Sequence, residues 1–319
     1  MLEKLLGKRH WLRIAKRYAW QCMVFSLSLI LIVGGYKLPE AVGQQTQTAN
    51  YKTFADWCAN KANLNPEARH TVDALLKEAE TNECEQANQK LLSLNGLFVF
   101  GNQISDITPF TSLTNLTTLI LSDNQISDIT PLTSLTNLTT LDLSGNKISD
   151  FSLLKSLANL TFIGLNTNQI SDISTLKSMT NLTTIQLSDN KISDFSLLKS
   201  MTNLIDLDLS GNEISDITFL QSMTNLIKLY LSNNKISDIT SLQSMTNLIH
   251  LDLEDNNISD ITPLKSMTNL IYIDLEDNNI SDITPLKSMT NLTDIWLRGN
   301  PIANKNCPLK PESICQFDD

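Results

Sequence analysis

The stretch Leu116-Thr-Thr-Leu-Ile-Leu-Ser-Asp-Asn-Gln-Ile-Ser-Asp-Ile-Thr-Pro-Leu-Thr-Ser-Leu-Thr-Asn137 decides the fold. Over Leu116 to Leu121 the alternation places Leu119 and Leu121 on one face of a short strand. Ile126, Ile129, Leu132 and Leu135 then carry the chain back along the opposite, convex side. Asn124 stands at the turn between the two, where an amide side chain can satisfy backbone groups that the interior hides from water and an apolar one cannot. The unit returns every 22 residues: Asn at 102, 124, 146, 168, 190, 212, 234, 256, 278 and 300, with Ile two positions after each, from Ile104 to Ile302. One unit cannot bury its apolar strand face alone. Stacked units can, by building a parallel sheet over a continuous Leu/Ile interior.

A fixed period with the pattern L-x-x-L-x-L-x-x-N resembles the leucine-rich repeat. The resemblance implies an α/β solenoid: a curved parallel β-sheet of ten strands between Leu94 and Asn300, a short helical or irregular convex side, and a helical N-terminal cap. Residues present in every unit serve the repeat. The Ser-Asp pair, nine copies from Ser105-Asp106 to Ser281-Asp282, is therefore read as satisfying free N–H groups ahead of a short helical turn, not as a row of catalytic or metal-binding carboxylates. Met179, Met201, Met223, Met245, Met267 and Met289 take the position that Leu113, Leu135 and Leu157 hold earlier, and are expected in the core. Asn-Leu-Thr triplets such as Asn115-Leu116-Thr117 match a glycosylation acceptor but fall where a strand begins, and are read as by-products of the repeat.

A solenoid exposes apolar interior at both ends and needs caps. Residues 53–93 supply the first: Asn65-Pro66-Glu67 opens a helix with Pro at its first position, Val72, Leu75, Leu76 and Ala79 follow at helical spacing, and Phe54 and Trp57 are expected in the core. Residues 301–319 supply the second. Cys58 and Cys84 fall in the first cap, Cys307 and Cys315 in the second. Four cysteines allow three pairings, but ten strands about 4.8 Å apart hold the caps some 40 to 50 Å from each other, far beyond the Cα limit of about 7 Å for a disulfide. The bonds expected are Cys58 with Cys84 and Cys307 with Cys315.

The N-terminus is of a different kind. Lys4, Lys8, Arg9, Arg13, Lys16 and Arg17 precede the apolar run Met23 to Val33, and Ala41-Val42-Gly43 places small residues where a signal peptidase cuts. Residues 1–43 are expected to be a signal peptide or, because Tyr18 to Tyr36 carries no charge, a retained N-terminal membrane anchor. On both readings the rest of the chain is exported across the membrane, secreted or periplasmic, or anchored by that segment. The division expected is 1–43 signal or anchor, 44–93 linker and N-terminal cap, 94–300 repeats, and 301–319 C-terminal cap.

Composition narrows the function. The 319 residues are 41% hydrophobic and 18% charged, with only 10 Gly and 9 Pro to punctuate loops, which agrees with a regular repeat. His occurs three times, so a common carrier of proton transfer and metal binding is scarce. Neither catalysis nor a cofactor is expected. The formal charge of −10 hides an asymmetry: residues 44–319 hold 17 Lys and Arg against 32 Asp and Glu, a surface unsuited to nucleic acid.

The positions that the repeat leaves free carry the functional reading. Outward strand positions and the following turns in the last five repeats bring ten acids, against Lys228, Lys235 and Arg298. Aromatic residues gather in the same place. Tyr230, His250, Asp252, Tyr272, Asp274, Asp294, Trp296 and Arg298 are the candidate ligand-binding residues; none is assigned as a metal ligand. Asp252 and Asp274 face the same way on adjacent strands and repel, so a cation or a basic ligand would relieve them, a divalent metal being the sharper form of that reading. The competing reading is a solvated face copied by duplication, since Met245 to Ser266 and Met267 to Ser288 differ only at His250/Tyr272 and Leu251/Ile273.

The unit Asn-x-Ile-Ser-Asp-Ile-Thr-Pro-Leu-x-Ser-x-Thr-Asn-Leu is similar to the repeats of bacterial internalin-like proteins and of the phosphatase-1 regulatory-subunit class, over about two thirds of the chain. The flanks at Trp57-Cys58, Thr81-Asn82-Glu83-Cys84, Asn300-Pro301-Ile302 and Cys307-Pro308 resemble those of secreted bacterial leucine-rich repeat proteins. The resemblance implies a binding scaffold without catalysis. Its partner is expected to be a protein, peptide or glycan, cationic or mixed in charge, held on the concave face, with a membrane involved only through the N-terminal segment. No cell-wall sorting signal of the internalin kind is found, so anchoring and receptor binding of that kind are not carried over. The alternatives are a structural cell-envelope component without a dedicated ligand and, further off, an envelope hydrolase or a cytosolic phosphatase regulator; the export signal opposes the last.

Overall fold

Eleven parallel strands in strict chain order form one open, curved sheet in the computed structural model, which describes residues 51–318. The reading of residues 1–43 as a signal or anchor lies outside the described residues. Among the described residues no helix is long and apolar enough to cross a membrane. The strands are β1 (Gly96–Phe98), β2 (Thr118–Ile120), β3 (Thr140–Asp142), β4 (Phe162–Gly164), β5 (Thr184–Gln186), β6 (Asp206–Asp208), β7 (Lys228–Tyr230), β8 (His250–Asp252), β9 (Tyr272–Asp274), β10 (Asp294–Trp296) and β11 (Cys315–Gln316). From β1 to β10 each residue pairs with the one 22 positions on, as in Thr118 with Thr140. The centre of each strand points inward, and Leu119, Leu141, Ile163 and their successors are fully buried. Sequence periodicity counts ten strands; the eleventh comes from the C-terminal cap, where Cys315 pairs with Ile295 and Gln316 with Trp296 and so covers an edge that would otherwise be open.

The first cap contains α1 (Phe54–Ala59), α2 (Pro66–Glu78) and α3 (Cys84–Ser93). Thr53 and Asp56 close a capping box on α1, and the Asn65 side chain accepts from the Ala68 N–H to start α2 behind Pro66. Val72, Leu75, Leu76 and Ala79 are buried, as is Phe54, whereas Trp57 is only partly covered and lies 4.6 Å from the Tyr51 ring. Disulfides join Cys58 to Cys84 and Cys307 to Cys315, with Cα separations of 5.5 and 5.8 Å.

The turn Asn does more than satisfy its own turn: it stitches neighbouring repeats. Asn168 donates through Nδ2 to Leu165 and Asn166 carbonyls in its own repeat and to the Leu143 carbonyl in the one before, while its Oδ1 accepts from the Ile148 N–H. The same set recurs at Asn146, Asn234, Asn256 and Asn278, all less than a tenth exposed. A second Asn row lies where the strands begin, and there the Asn137, Asn159 and Asn181 side chains donate to the Thr114, Thr136 and Ala158 carbonyls. These belong to the Asn-Leu-Thr triplets, so the amide that a glycan would need is already engaged.

On the convex side each Asp of the nine Ser-Asp pairs accepts the N–H two residues on, at 2.7 to 2.9 Å, ahead of a 3-10 turn. The cap is the work of the Asp. Five of the six periodic Met are buried, and Met201 is partly so.

The residue before each turn Asn lies in the left-handed region in all ten repeats. Gly fills it at 101, 145, 211 and 299, Asp at 123, 189, 255 and 277, and Asn at 233, all residues that tolerate positive φ. Thr167 is the exception, at φ 53°. A β-branched side chain there costs about 1 kcal/mol relative to Asn, so Thr167→Asn is expected to raise the melting temperature by roughly 2 to 4 °C. An unchanged or lowered midpoint by calorimetry would contradict the strain.

Candidate functional site

Two rows of side chains stand outward on the sheet, set by the register. One reads Asp206, Lys228, His250, Tyr272, Asp294 and the other Asp208, Tyr230, Asp252, Asp274, Trp296. The alternation that buries the strand centres puts their two neighbours outward. His250 lies flat on Tyr272, with ring centroids 4.2 Å apart and planes 3° apart, and meets Tyr230 on its other side at 4.8 Å and 44°. Three rings therefore run continuously across β7 to β9. Trp296 is not in that run: it stands in the second row beside Asp274, with the Arg298 guanidinium 5.4 Å from its ring centre. Asp294 is exposed and accepts from the Thr293 hydroxyl at 2.9 Å.

The acids differ from the picture of an exposed acidic face. Asp274 is 8% exposed, and it accepts from the Tyr272 hydroxyl at 3.0 Å and the Glu276 N–H at 3.1 Å. Asp252 is half-buried and accepts from the Glu254 N–H at 3.1 Å. Asp142 and Asp208 bond the N–H two residues on in the same way, so part of what this row does is to hold its own turns. Salt screening, which acts on exposed charges, accordingly falls on Asp294 more than on Asp274.

Burial pushes the Asp252 carboxyl up to about 7, with the Asp274, Glu254 and Asp208 charges adding to it and the Glu254 N–H opposing. Burial likewise raises Asp208 and Glu276, and raises the Tyr230 hydroxyl to about 12. The convex-side Asp150, Asp194 and Asp216 go the other way, held below the usual carboxylate range first by the N–H groups of Ser152, Ser196 and Thr218. Cations stand at the margins: Lys228 is 3.5 Å from Asp206, Lys235 is 2.8 Å from Glu213, and Arg298 is 3.8 Å from Glu276. At the centre Asp252, Glu254 and Asp274 each bring one ligand atom within 4.8 Å of the others, oxygen donors of the kind that hard divalent ions take.

The family described as "Leucine Rich repeats (2 copies)" matches five times in tandem, at residues 92–134, 136–178, 180–222, 224–266 and 268–310. The chain belongs to the leucine-rich repeat family. Among solved structures, this leucine-rich repeat protein is similar to the internalin InlF of Listeria monocytogenes, at 33% identity and a TM-score of 0.71 over 81% of this chain and 76% of that one. It is also similar to internalin C2 of the same organism, at 35% identity and 0.58 over 63% and 90%. The functional domain of Listeria InlJ shares the fold at 21% identity and a TM-score of 0.60, over 83% of this chain and 60% of that one. No curated protein matches the leucine-rich repeat chain in sequence.

One feature of the repeats lies outside the residues singled out from the sequence. Ile205, Ile249 and Ile271 are 40 to 44% exposed just before their strands. The signal was present as a switch from Thr117, Thr139, Thr161 and Thr183 to Ile205, Ile227, Ile249 and Ile271. It escapes a reading by apolar pattern because Ile beside a strand looks like core.

Proposed function

We propose that this leucine-rich repeat protein is an exported, non-catalytic scaffold that holds a protein, peptide or glycan partner on the concave face of its last repeats. The observation that carries the reading is the His250 ring lying between Tyr230 and Tyr272 beside the Asp252 and Asp274 carboxylates. Aromatic rings next to charge are the residue types that interfaces use, and solenoids present extended concave surfaces. The two disulfides support export, since such bonds persist in oxidising compartments. A structural envelope component is the second reading, favoured by the turn-holding bonds of Asp142, Asp208, Asp252 and Asp274.

A pull-down from an envelope extract separates the two, comparing wild type with a variant carrying Asp252→Asn, Asp274→Asn and Asp294→Asn. Retention by wild type and loss by the variant are expected, with Tyr272→Ala and Trp296→Ala each weakening binding by more than about 1 kcal/mol and Thr184→Ala and Gln186→Ala leaving it intact. Retention of nothing would favour the structural reading, and turnover of glycan or peptide substrates abolished by Asp252→Asn would favour an enzyme.

A further inference from the structure

Four successive repeats carry Ile205, Ile227, Ile249 and Ile271 where the repeats on either side carry Thr183 and Thr293. The next residue along differs each time, Asp206, Lys228, His250 and Tyr272, while the Ile does not. Ile227, Ile249, Ile271 and Thr293 line a trough of about 570 Å³ along the edge where the strands begin. Its wall is the Asn row, Asn225, Asn247, Asn269 and Asn291. Each wall amide spends one N–H on a carbonyl of the preceding repeat at 2.8 to 2.9 Å, which fixes the amide and leaves its second N–H and its Oδ1 for a partner.

We infer that this trough receives an extended segment of a partner protein in which a short aliphatic run is followed by Lys or Arg. The inference rests on the binding role proposed above and gives that partner its chemistry. Four repeats about 4.8 Å apart span roughly 14 Å, the reach of four or five extended residues. An aliphatic floor beside a wall of amides suits aliphatic side chains and the N–H and C=O groups of a peptide backbone, whereas a glycan has no aliphatic side chains with which to cover three Ile. The charge along the trough sets the order. At one end Lys228 already lies 3.5 Å from Asp206; at the other, Asp294 is exposed beside Thr293 and accepts from its hydroxyl. A cationic side chain is favoured at the second end and an acidic one is opposed there.

The test uses a phage-displayed random heptapeptide library panned on the exported protein, followed by affinity measurements with the enriched peptides made synthetically. Peptides with two or more aliphatic residues ahead of Lys or Arg are expected. Ile227→Thr, Ile249→Thr and Ile271→Thr together should weaken them about tenfold or more, and Asp294→Asn should weaken those with the basic residue but not versions ending in Ser. Thr is the residue that other repeats use at this position, so the triple variant is expected to keep its melting temperature. Peptides that bind the triple variant unchanged but are lost by Tyr272→Ala overturn the trough while leaving concave-face binding intact. No enrichment, or enrichment of acidic peptides, also overturns it, whatever the envelope pull-down retains.

Discussion

Asn168→Leu is expected to lower the stability of the protein by about 1 to 3 kcal/mol, because the buried Ile148 N–H loses its acceptor and a buried group left unpaired costs about that much. The Leu143, Leu165 and Asn166 carbonyls each lose one donor but keep another, from Asn146, Asn190 and Gly145, and of the four groups that Asn168 bonds, Leu143 and Ile148 belong to the preceding repeat. The damage is therefore to an interface between units as well as to a turn, and a solenoid draws much of its stability from such interfaces. Gln169 is the control: it is exposed, and its backbone N–H to the Ile148 carbonyl is untouched by Gln169→Leu. Urea unfolding of the two variants should place Asn168→Leu far below wild type and Gln169→Leu within a few tenths of a kcal/mol. Equal midpoints would remove the Asn ladder from the account of the fold.

Asp252→Asn is expected to stabilise the protein at pH 8 by up to about 4 kcal/mol and to do almost nothing at pH 4. In the folded state burial holds the Asp252 carboxyl at about 7, whereas in the unfolded chain it returns to about 3.9. Below the unfolded value both states are protonated and the contribution to stability is complete. As pH rises the unfolded chain gives up its proton first, so stability falls until the folded group ionises too, near pH 7. The exposed convex-side Asp residues, with lowered values, act in the opposite sense as pH falls. The difference between wild type and variant isolates the single group, because Asn retains an oxygen to accept from the Glu254 N–H. A difference independent of pH would mean that Asp252 is solvated like an ordinary surface carboxylate.

Translational repetition makes most of this fold legible in the sequence. When every unit contacts only its neighbours, a local pattern such as Leu119, Leu121 and Asn124 is also the tertiary pattern. Strand register, the Leu/Ile core, the Asn turns, the Asp caps and the two disulfides all follow from the period and from the distance between the caps. Asp252 and Asp274 stand side by side for the same reason.

Four things needed the tertiary structure. The chain after the repeats returns as β11 because an open sheet edge takes up any backbone that reaches it, and Cys315-Gln316 has no repeat pattern to announce it. Thr167 sits at positive φ because its neighbours in the stack impose the turn, against its own preference. The sequence shows that the outward acids are numerous but not that Asp274 is covered while Asp294 is open, since that depends on which side chains stand on the flanking strands. It shows four Ile but not that three of them, Ile227, Ile249 and Ile271, form the floor of a trough, because exposure at a strand edge is set by curvature and by the Asn row beside it. Sequence alone determined the repeating interior, where every unit meets an identical environment; the structure decided the outward face, where each residue's surroundings are made by neighbours that differ.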